Sequence, residues 1–183
     1  MNIEVEIRAK VNNFDEIKKA LEKIGADFVN SKKQIDKIFG AAKFLDSEHK
    51  IIEGGLSARI REVDGKRALE FKEIIREKGG IELSCEIPTI EMAEKMLKKL
   101  DFEEAFTIEK TRETYSYKDF EIALDNVEQL GSFIEIEKLI DSEEGIGEAR
   151  KECVDLLEKI SPGSEIETRK YGDLIQEIIN SKR

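Results

Sequence analysis

Ile3-Glu4-Val5-Glu6-Ile7-Arg8-Ala9-Lys10-Val11 alternates apolar and charged residues without a break. Side chains two apart in a strand share a face, so this stretch reads as a β-strand with Glu4, Glu6, Arg8 and Lys10 in one row at spacings of about 7 Å. Two carboxylates at that separation repel by about 2 kcal/mol at an effective dielectric of 20, which water or a cation must relieve. Taken alone, the pattern suits a half-solvated edge of an antiparallel sheet.

Later segments repeat it. Ser57 to Val63 places Arg59 and Arg61 on one face, and Asp64-Gly65 signals a hairpin into Arg67 to Ile74, where Glu70 and Lys72 share a face. Ile81 to Ile87 is a second acidic strand with Glu82 and Glu86, and Phe106 to Tyr117 carries Lys110 and Arg112. Phe120 to Asp125 and Phe133 to Glu137 follow, the latter with the same-face pair Glu135 and Glu137. A further strand is expected over Ile35 to Phe39, followed by an irregular polar loop to Gly55.

Helical spacing marks Phe14, Ile17, Leu21 and Ile24, with Asn13 as N-cap and Gly25 as terminator. A helix after Pro88-Thr89 has the apolar stripe Ala93, Met96, Leu97 and Leu100. Two more are expected, near Ile146 to Ile160 and from about Tyr171. Strand, helix, strand occurs at Glu4 to Phe39 and again at Glu82 to Tyr117, a hint of an internal repeat. About eight strands in hairpin-like succession with about four helices point to the α+β class and a mainly antiparallel sheet.

The 183 residues suit a single domain over 1–183 and require no second core. Asp and Glu outnumber Lys and Arg by 41 to 31, a formal charge of −10, which argues against a general grip on nucleic acid. No apolar run is long enough for a membrane span and no secretory leader opens the chain, so a cytoplasmic location is expected. Cys85 and Cys153 are too few for a disulfide framework or a zinc site, and each is expected to serve as an apolar filler.

Periodicity does not choose whether the charged rows face solvent or line a polar channel. The bland arrangement is a set of cross-strand salt bridges with no ligand. An inward arrangement has a chemistry. Hard divalent cations take oxygen ligands, usually one or two carboxylates plus phosphates and water. A polyphosphate needs several cationic donors along its length, Arg as a bidentate fork and Lys as a point charge. Such an interior suits a metal-triphosphate in phosphoryl or nucleotidyl transfer. His49 is the only histidine, in the polar loop, and does not suggest a Ser-His-Asp site; Gly54-Gly55 and Gly79-Gly80 read as turns, not phosphate loops.

Glu4-Val5-Glu6-Ile7-Arg8 resembles the E-x-E-x-K opening motif of the CYTH superfamily, the triphosphate tunnel metalloenzymes. The resemblance continues in order through Arg59-Ile60-Arg61, the Lys72 strand, Lys110-Thr111-Arg112, Leu124-Asp125 and Phe133 to Glu137. Ala105 to Arg112, Leu130-Gly131-Ser132-Phe133 and Tyr171-Gly172-Asp173-Leu174 are most similar to class IV adenylyl cyclases. This implies an α+β fold built on an eight-stranded antiparallel β-barrel, the triphosphate tunnel, with amphipathic helices packed outside and charged rows inside.

Family roles carry over as expectations. Glu4, Glu6, Asp125, Glu135 and Glu137 would ligate Mg2+ or Mn2+, directly or through water. Arg8, Arg61, Lys72, Lys110 and Arg112 would hold the triphosphate, with Lys10 and Arg59 as further candidates, and Glu6, Arg8, Lys72 and Glu135 would stand closest to the chemistry. Glu82 and Glu86 are left as structural or supporting residues.

The implied activity is conversion of ATP to cyclic AMP and pyrophosphate; the alternatives are hydrolysis of thiamine triphosphate or tripolyphosphate, and non-catalytic triphosphate binding. The partner would be a triphosphate-bearing small molecule, with no nucleic acid or membrane, and the resemblance makes a homodimer plausible. Two positions depart from the family. Arg8 replaces a lysine thought to help activate water in hydrolytic members, and Arg keeps its proton near neutral pH. Lys37-Ile38-Phe39 follows the family's aromatic pair only loosely.

Overall fold

The computed structural model describes residues 3–45, 51–73 and 82–181, Glu82 in its backbone only. The elements are β1 (Ile3–Val11), α1 (Phe14–Ile24), β2 (Asp27–Ala41), β3 (Leu56–Val63), β4 (Lys66–Glu73), β5 (Glu82–Glu86), α2 (Ile90–Lys99), β6 (Phe102–Tyr117), β7 (Phe120–Val127), β8 (Gly131–Ile140), α3 (Ile146–Ile160) and α4 (Tyr171–Ser181). The eight strands form one antiparallel sheet in the order β1-β8-β7-β6-β2-β3-β4-β5, confirming the expected α+β class. By contacts the chain divides into two compact units, Met1–Lys32 with Lys110–Arg183, and Lys33–Glu109. Each has its own apolar core.

In the first unit the ladders put Glu6 opposite Glu137 and Arg8 opposite Glu135, then Glu137 opposite Glu121 and Asp125 opposite Arg112. Strand alternation turns these to one face and sends Ile7, Leu124, Ile134 and Ile136 to the other, against α1 and α3. α1 starts where Asn13 Oδ1 accepts from the Asp15 amide at 2.8 Å and stops where Gly25 takes φ 79°, a left-handed turn that suits glycine. Its Leu21 and Cys153 of α3 are completely buried. Burying one such aliphatic side chain contributes about 1.5–3 kcal/mol, so the apolar stripes, more than helix propensity, fix the charged face opposite.

In the second unit Asp64 (φ 51°) and Gly65 (φ 78°) make the expected two-residue turn between β3 and β4. Thr89 Oγ1 caps α2 by accepting from the Met92 amide at 3.2 Å, and α2 buries Ala93 and Leu97 against Phe39, Ile60 and Phe102. Met96 and Leu100 of the expected stripe stay 57% and 55% exposed, because α2 touches its core along a line narrower than the stripe.

The structure corrects several boundaries. β2 runs over Asp27–Ala41, far longer than Ile35 to Phe39; its first half is largely exposed, with Phe28 and Val29 adjacent and polar residues after them, so no alternation marks it. β6 begins at Phe102. The segment expected as loop contains a 3-10 turn at Ala42–Phe44 and a bridge from Leu45 to Ile51. Cys153 is the buried filler expected, whereas Cys85 is exposed. His49, Gly79-Gly80 and the ends of the strands drawn to Ile74 and from Ile81 lie outside the described residues. No helix among the described residues is long and apolar enough to cross a membrane.

Candidate active site

The charged face of the first unit carries an alternating chain of five groups. Arg8 Nε donates to Glu135 Oε1 at 2.6 Å, and Glu135 also accepts from Arg112. Arg112 forks onto Asp125, Nε to Oδ1 at 2.7 Å and Nη2 to Oδ2 at 2.6 Å, and Lys110 Nζ donates to Asp125 Oδ2 at 2.7 Å. The order Arg8–Glu135–Arg112–Asp125–Lys110 alternates in sign and leaves one net positive charge. Ladder register sets two of its links, Arg8 opposite Glu135 and Arg112 opposite Asp125, at about 5 Å between Cβ atoms; Arg112 reaches past β7 to Glu135 and Lys110 reaches diagonally to Asp125.

Burial gives these charges weight. Asp125 is fully buried, and Glu135 and Lys110 are each 8% exposed. Burial pushes the Asp125 carboxyl up, but its bonds to Arg112 and the charge of Lys110 outweigh this and hold it below the usual range. For Lys110 burial wins and the ammonium is lowered. Burial also works against the Arg8 and Arg112 guanidinium groups, but Glu135 and, for Arg112, Asp125 raise both.

Tyr171, at the start of α4, joins this network. Its hydroxyl donates to Asp125 Oδ2 at 3.1 Å, and the Arg8 Cζ and Lys110 Nζ lie 4.1 and 5.2 Å from its ring centroid. α4 therefore reaches the charged face, whereas α1 and α3 cover the apolar one. In the sequence Tyr171 stands out only as part of the Tyr171-Gly172-Asp173-Leu174 motif, because no periodicity connects this tyrosine to a strand at the other end of the chain.

Glu137 lies between Glu6 and Glu121 across the ladder. Burial and the charges of Glu4, Glu121 and Glu6 push its carboxyl up to about 7. Glu121 is a member of this set that the sequence reading missed; its alternation on β7 was the available signal. The donors are all carboxylate oxygens, which fits a hard cation such as Mg2+ or Mn2+ by chemistry. As the side chains stand, no three His, Cys, Asp or Glu groups among the described residues converge as a metal site. The fit thus rests on donor type and like-charge crowding. Lys10 lies over Phe133, its Nζ 5.9 Å from the ring centroid, and Phe133 in turn packs against Tyr171.

The second unit has a charged face of its own. Asp36, buried on β2, accepts from Arg61 Nε at 2.8 Å and Nη2 at 2.9 Å, and from Gln34 at 2.8 Å. Burial pushes the Asp36 carboxyl up, and Arg61, with Arg59, more than reverses this, so it is held low. Arg59 pairs with Glu70. Lys72 shares the face and lines, with Arg59, Glu70 and Ser57, a cavity of about 100 Å³. Alternation had already placed Arg59 with Arg61 and Glu70 with Lys72; Asp36 as their acidic partner was not foreseen. Glu86 is exposed.

Residues 2–171 match the model of the CYTH domain family. A Methanocaldococcus jannaschii protein provisionally named an adenylate cyclase is 31% identical over 164 residues, 87% of this chain and 90% of that one. A solved protein of Pyrococcus horikoshii is 29% identical with a TM-score of 0.74, over 96% of this chain and 99% of that one. A solved Hippeastrum protein, introduced as an adenylyl cyclase and described as having a dominant triphosphatase activity, is 17% identical with a TM-score of 0.68, over 97% and 96% of the two chains, a likeness of fold alone. The alternating chain of buried charges thus sits on a sheet whose sequence matches this family almost end to end, and the protein belongs to the CYTH domain family.

Proposed function

We propose that the protein is a divalent-metal-dependent enzyme acting on a triphosphate, and that its reaction is closure of ATP to cyclic AMP with release of pyrophosphate. The observation that carries this reading is the alternation Arg8–Glu135–Arg112–Asp125–Lys110, with both acids and Lys110 buried. Guanidinium forks and an ammonium held on one face can exchange their carboxylate partners for phosphate oxygens. Arg59, Arg61, Lys72 and Lys10 are added as triphosphate donors by the family resemblance.

Glu4, Glu6, Asp125, Glu135 and Glu137 are the proposed holders of Mg2+ or Mn2+, which when bound neutralises phosphate charge and lowers the pKa of a coordinated hydroxyl. The cationic side chains orient the triphosphate so that the ribose 3′-oxygen is in line with the α-phosphorus. The new oxygen–phosphorus bond forms, the bond to the bridging oxygen breaks, pyrophosphate departs with that electron pair, and the hydroxyl proton passes to solvent. Glu135 strengthens the hold of Arg8 on its proton, so Arg8 serves as a fixed cation and not as a base. Arg8 therefore does not serve as the base for attack by water, and the name of the Methanocaldococcus jannaschii relative supports the cyclisation reading.

The test is chromatography of products from ATP, thiamine triphosphate or tripolyphosphate with Mg2+ or Mn2+, beside a Glu6→Gln control. Cyclic AMP and pyrophosphate from ATP, absent in the control, are expected. Orthophosphate without cyclic AMP would assign the protein to triphosphate hydrolysis, and binding without any product would make it a triphosphate-binding module.

A further inference from the structure

Arg8 stands where the family's opening motif has lysine, and its surroundings supply a reason. It pairs with Glu135 through Nε and Nη2 at 2.6 and 2.5 Å, donates from Nη1 to the Arg169 carbonyl at 2.9 Å, and lies over the Tyr171 ring at 4.1 Å. A planar guanidinium with five N–H donors does all three at once; an ammonium has neither the fork nor the plane. The Arg8 carbonyl in turn accepts from the Glu167 amide at 2.7 Å, and Ala9 bridges to Ile166. The segment Ile166–Tyr171 is therefore held along β1 by both the backbone and the side chain of one residue.

The far end of the segment is built into the charged face. Tyr171 touches both end cations of the alternating chain, donates to the acid between Arg112 and Lys110, and packs edge-on against Phe133 at 5.1 Å. The turn leading to it is stapled by Arg169, which pairs with Glu167 at 2.6 Å and with Glu177 of α4 at 2.8 Å. A scaffold helix would need the ring for packing alone, whereas this ring and hydroxyl meet three of the five charged groups.

We propose that Arg8 latches the segment Ile166–Tyr171 onto β1, and that the latched segment belongs to the triphosphate site, with Tyr171 a positioning residue acting through Arg8, Lys110 and Asp125. The second half rests on the triphosphate reading above. Latching holds the cations ready, so it strengthens triphosphate binding, and by linkage triphosphate strengthens the latch by the same factor.

Two measurements test this. Without ligand, hydrogen exchange at the Glu167 amide should speed about tenfold in Arg8→Lys and in Tyr171→Leu; unchanged exchange in both overturns the latch. With Mg2+–tripolyphosphate as the calorimetric probe, Tyr171→Phe, which keeps the ring, should bind within about threefold of wild type, and Tyr171→Leu about tenfold more weakly. The double variant Arg8→Lys/Tyr171→Leu should bind little worse than the weaker single one, the mark of two residues acting as a unit. Wild-type affinity in Tyr171→Leu, or additive losses, overturns the positioning role. The chain has three tyrosines and no tryptophan, so a ligand-induced change in tyrosine fluorescence that disappears in Tyr171→Phe supplies a readout even if Tyr171→Leu loosens α4; no such difference counts against the role. A wild-type protein that does not bind the probe overturns the triphosphate reading, and the exchange measurement then still decides the latch.

Discussion

Glu135 sits directly opposite Arg8 in the β1–β8 ladder and accepts from its Nε at 2.6 Å, with side chains only 10% and 12% exposed. Because Glu135 also accepts from Arg112, it is the acid that joins two guanidinium groups on neighbouring parts of one face.

Removing that charge leaves both cations short of a partner. Glu135→Gln is expected to abolish product formation and to cost about 3–5 kcal/mol of stability, the range for breaking a buried ion pair from one side. Activity assay and urea unfolding check this together. Near-normal turnover in a folded variant would take Glu135 out of the site.

At Glu137 the opposite sign holds. Its carboxyl is pushed up to about 7 from 4.5, so the stability tied to its neutral form is present below pH 4.5 and lost as pH rises through about 7. Glu137→Gln, neutral throughout, should stabilise the metal-free protein at pH 8, on the scale of about 0.2–1 kcal/mol for relieving opposed like charges. The same substitution should weaken any thermal stabilisation by Mg2+. Thermal unfolding with and without Mg2+ measures both, and a destabilised variant at pH 8 would contradict the crowding.

Asp36 follows the usual carboxylate direction. Its pKa is held below 3.8 by Arg61 against burial, so its contribution is present above about pH 4 and is lost as pH falls through the lower folded value. Asp36→Asn should be less stable than wild type at pH 7, and the gap should be smaller at pH 3. Urea unfolding at the two pH values checks it; a gap independent of pH would show that the charge is not what Arg61 and Arg59 require.

The cysteines separate by environment. Cys153 is buried, its Sγ 3.7 Å from the Val5 carbonyl, and burial pushes its thiol up to about 11, while Cys85 is exposed. At pH 8 a thiol reagent should label Cys85 within minutes and Cys153 only on unfolding, where the thiolate forms and is reached. Mass spectrometry of the labelled peptides distinguishes them, and rapid labelling of Cys153 in the native protein would show that its packing is open.

Alternation made most strands legible. Where one face was apolar and the other charged, as in β1, β3, β7 and β8, a period of two could arise from little else, and the residues that share a face followed directly. The half of β2 from Asp27 was illegible for the complementary reason: it buries little, and Phe28 and Val29 stand side by side instead of alternating, so no period of two records that its backbone belongs to a ladder. α2 showed the limit of apolar spacing, since Met96 and Leu100 continue a stripe that the core does not use.

By itself the sequence determined the class, the sets of residues that travel together along each strand, and the family whose motif order they follow. Only the tertiary structure decided which acid meets which base. The pairs Arg8 with Glu135, Lys110 with Asp125 and Arg61 with Asp36 depend on strand register, and Tyr171 meets Arg8 across nearly the whole chain. The physical reason is that periodicity is a property of one segment, whereas register and the docking of a distant segment are settled as each unit packs its own apolar core. Within each unit, only that packing turns the charged side chains to the other face of the strands and buries them deeply enough for their pairing to matter.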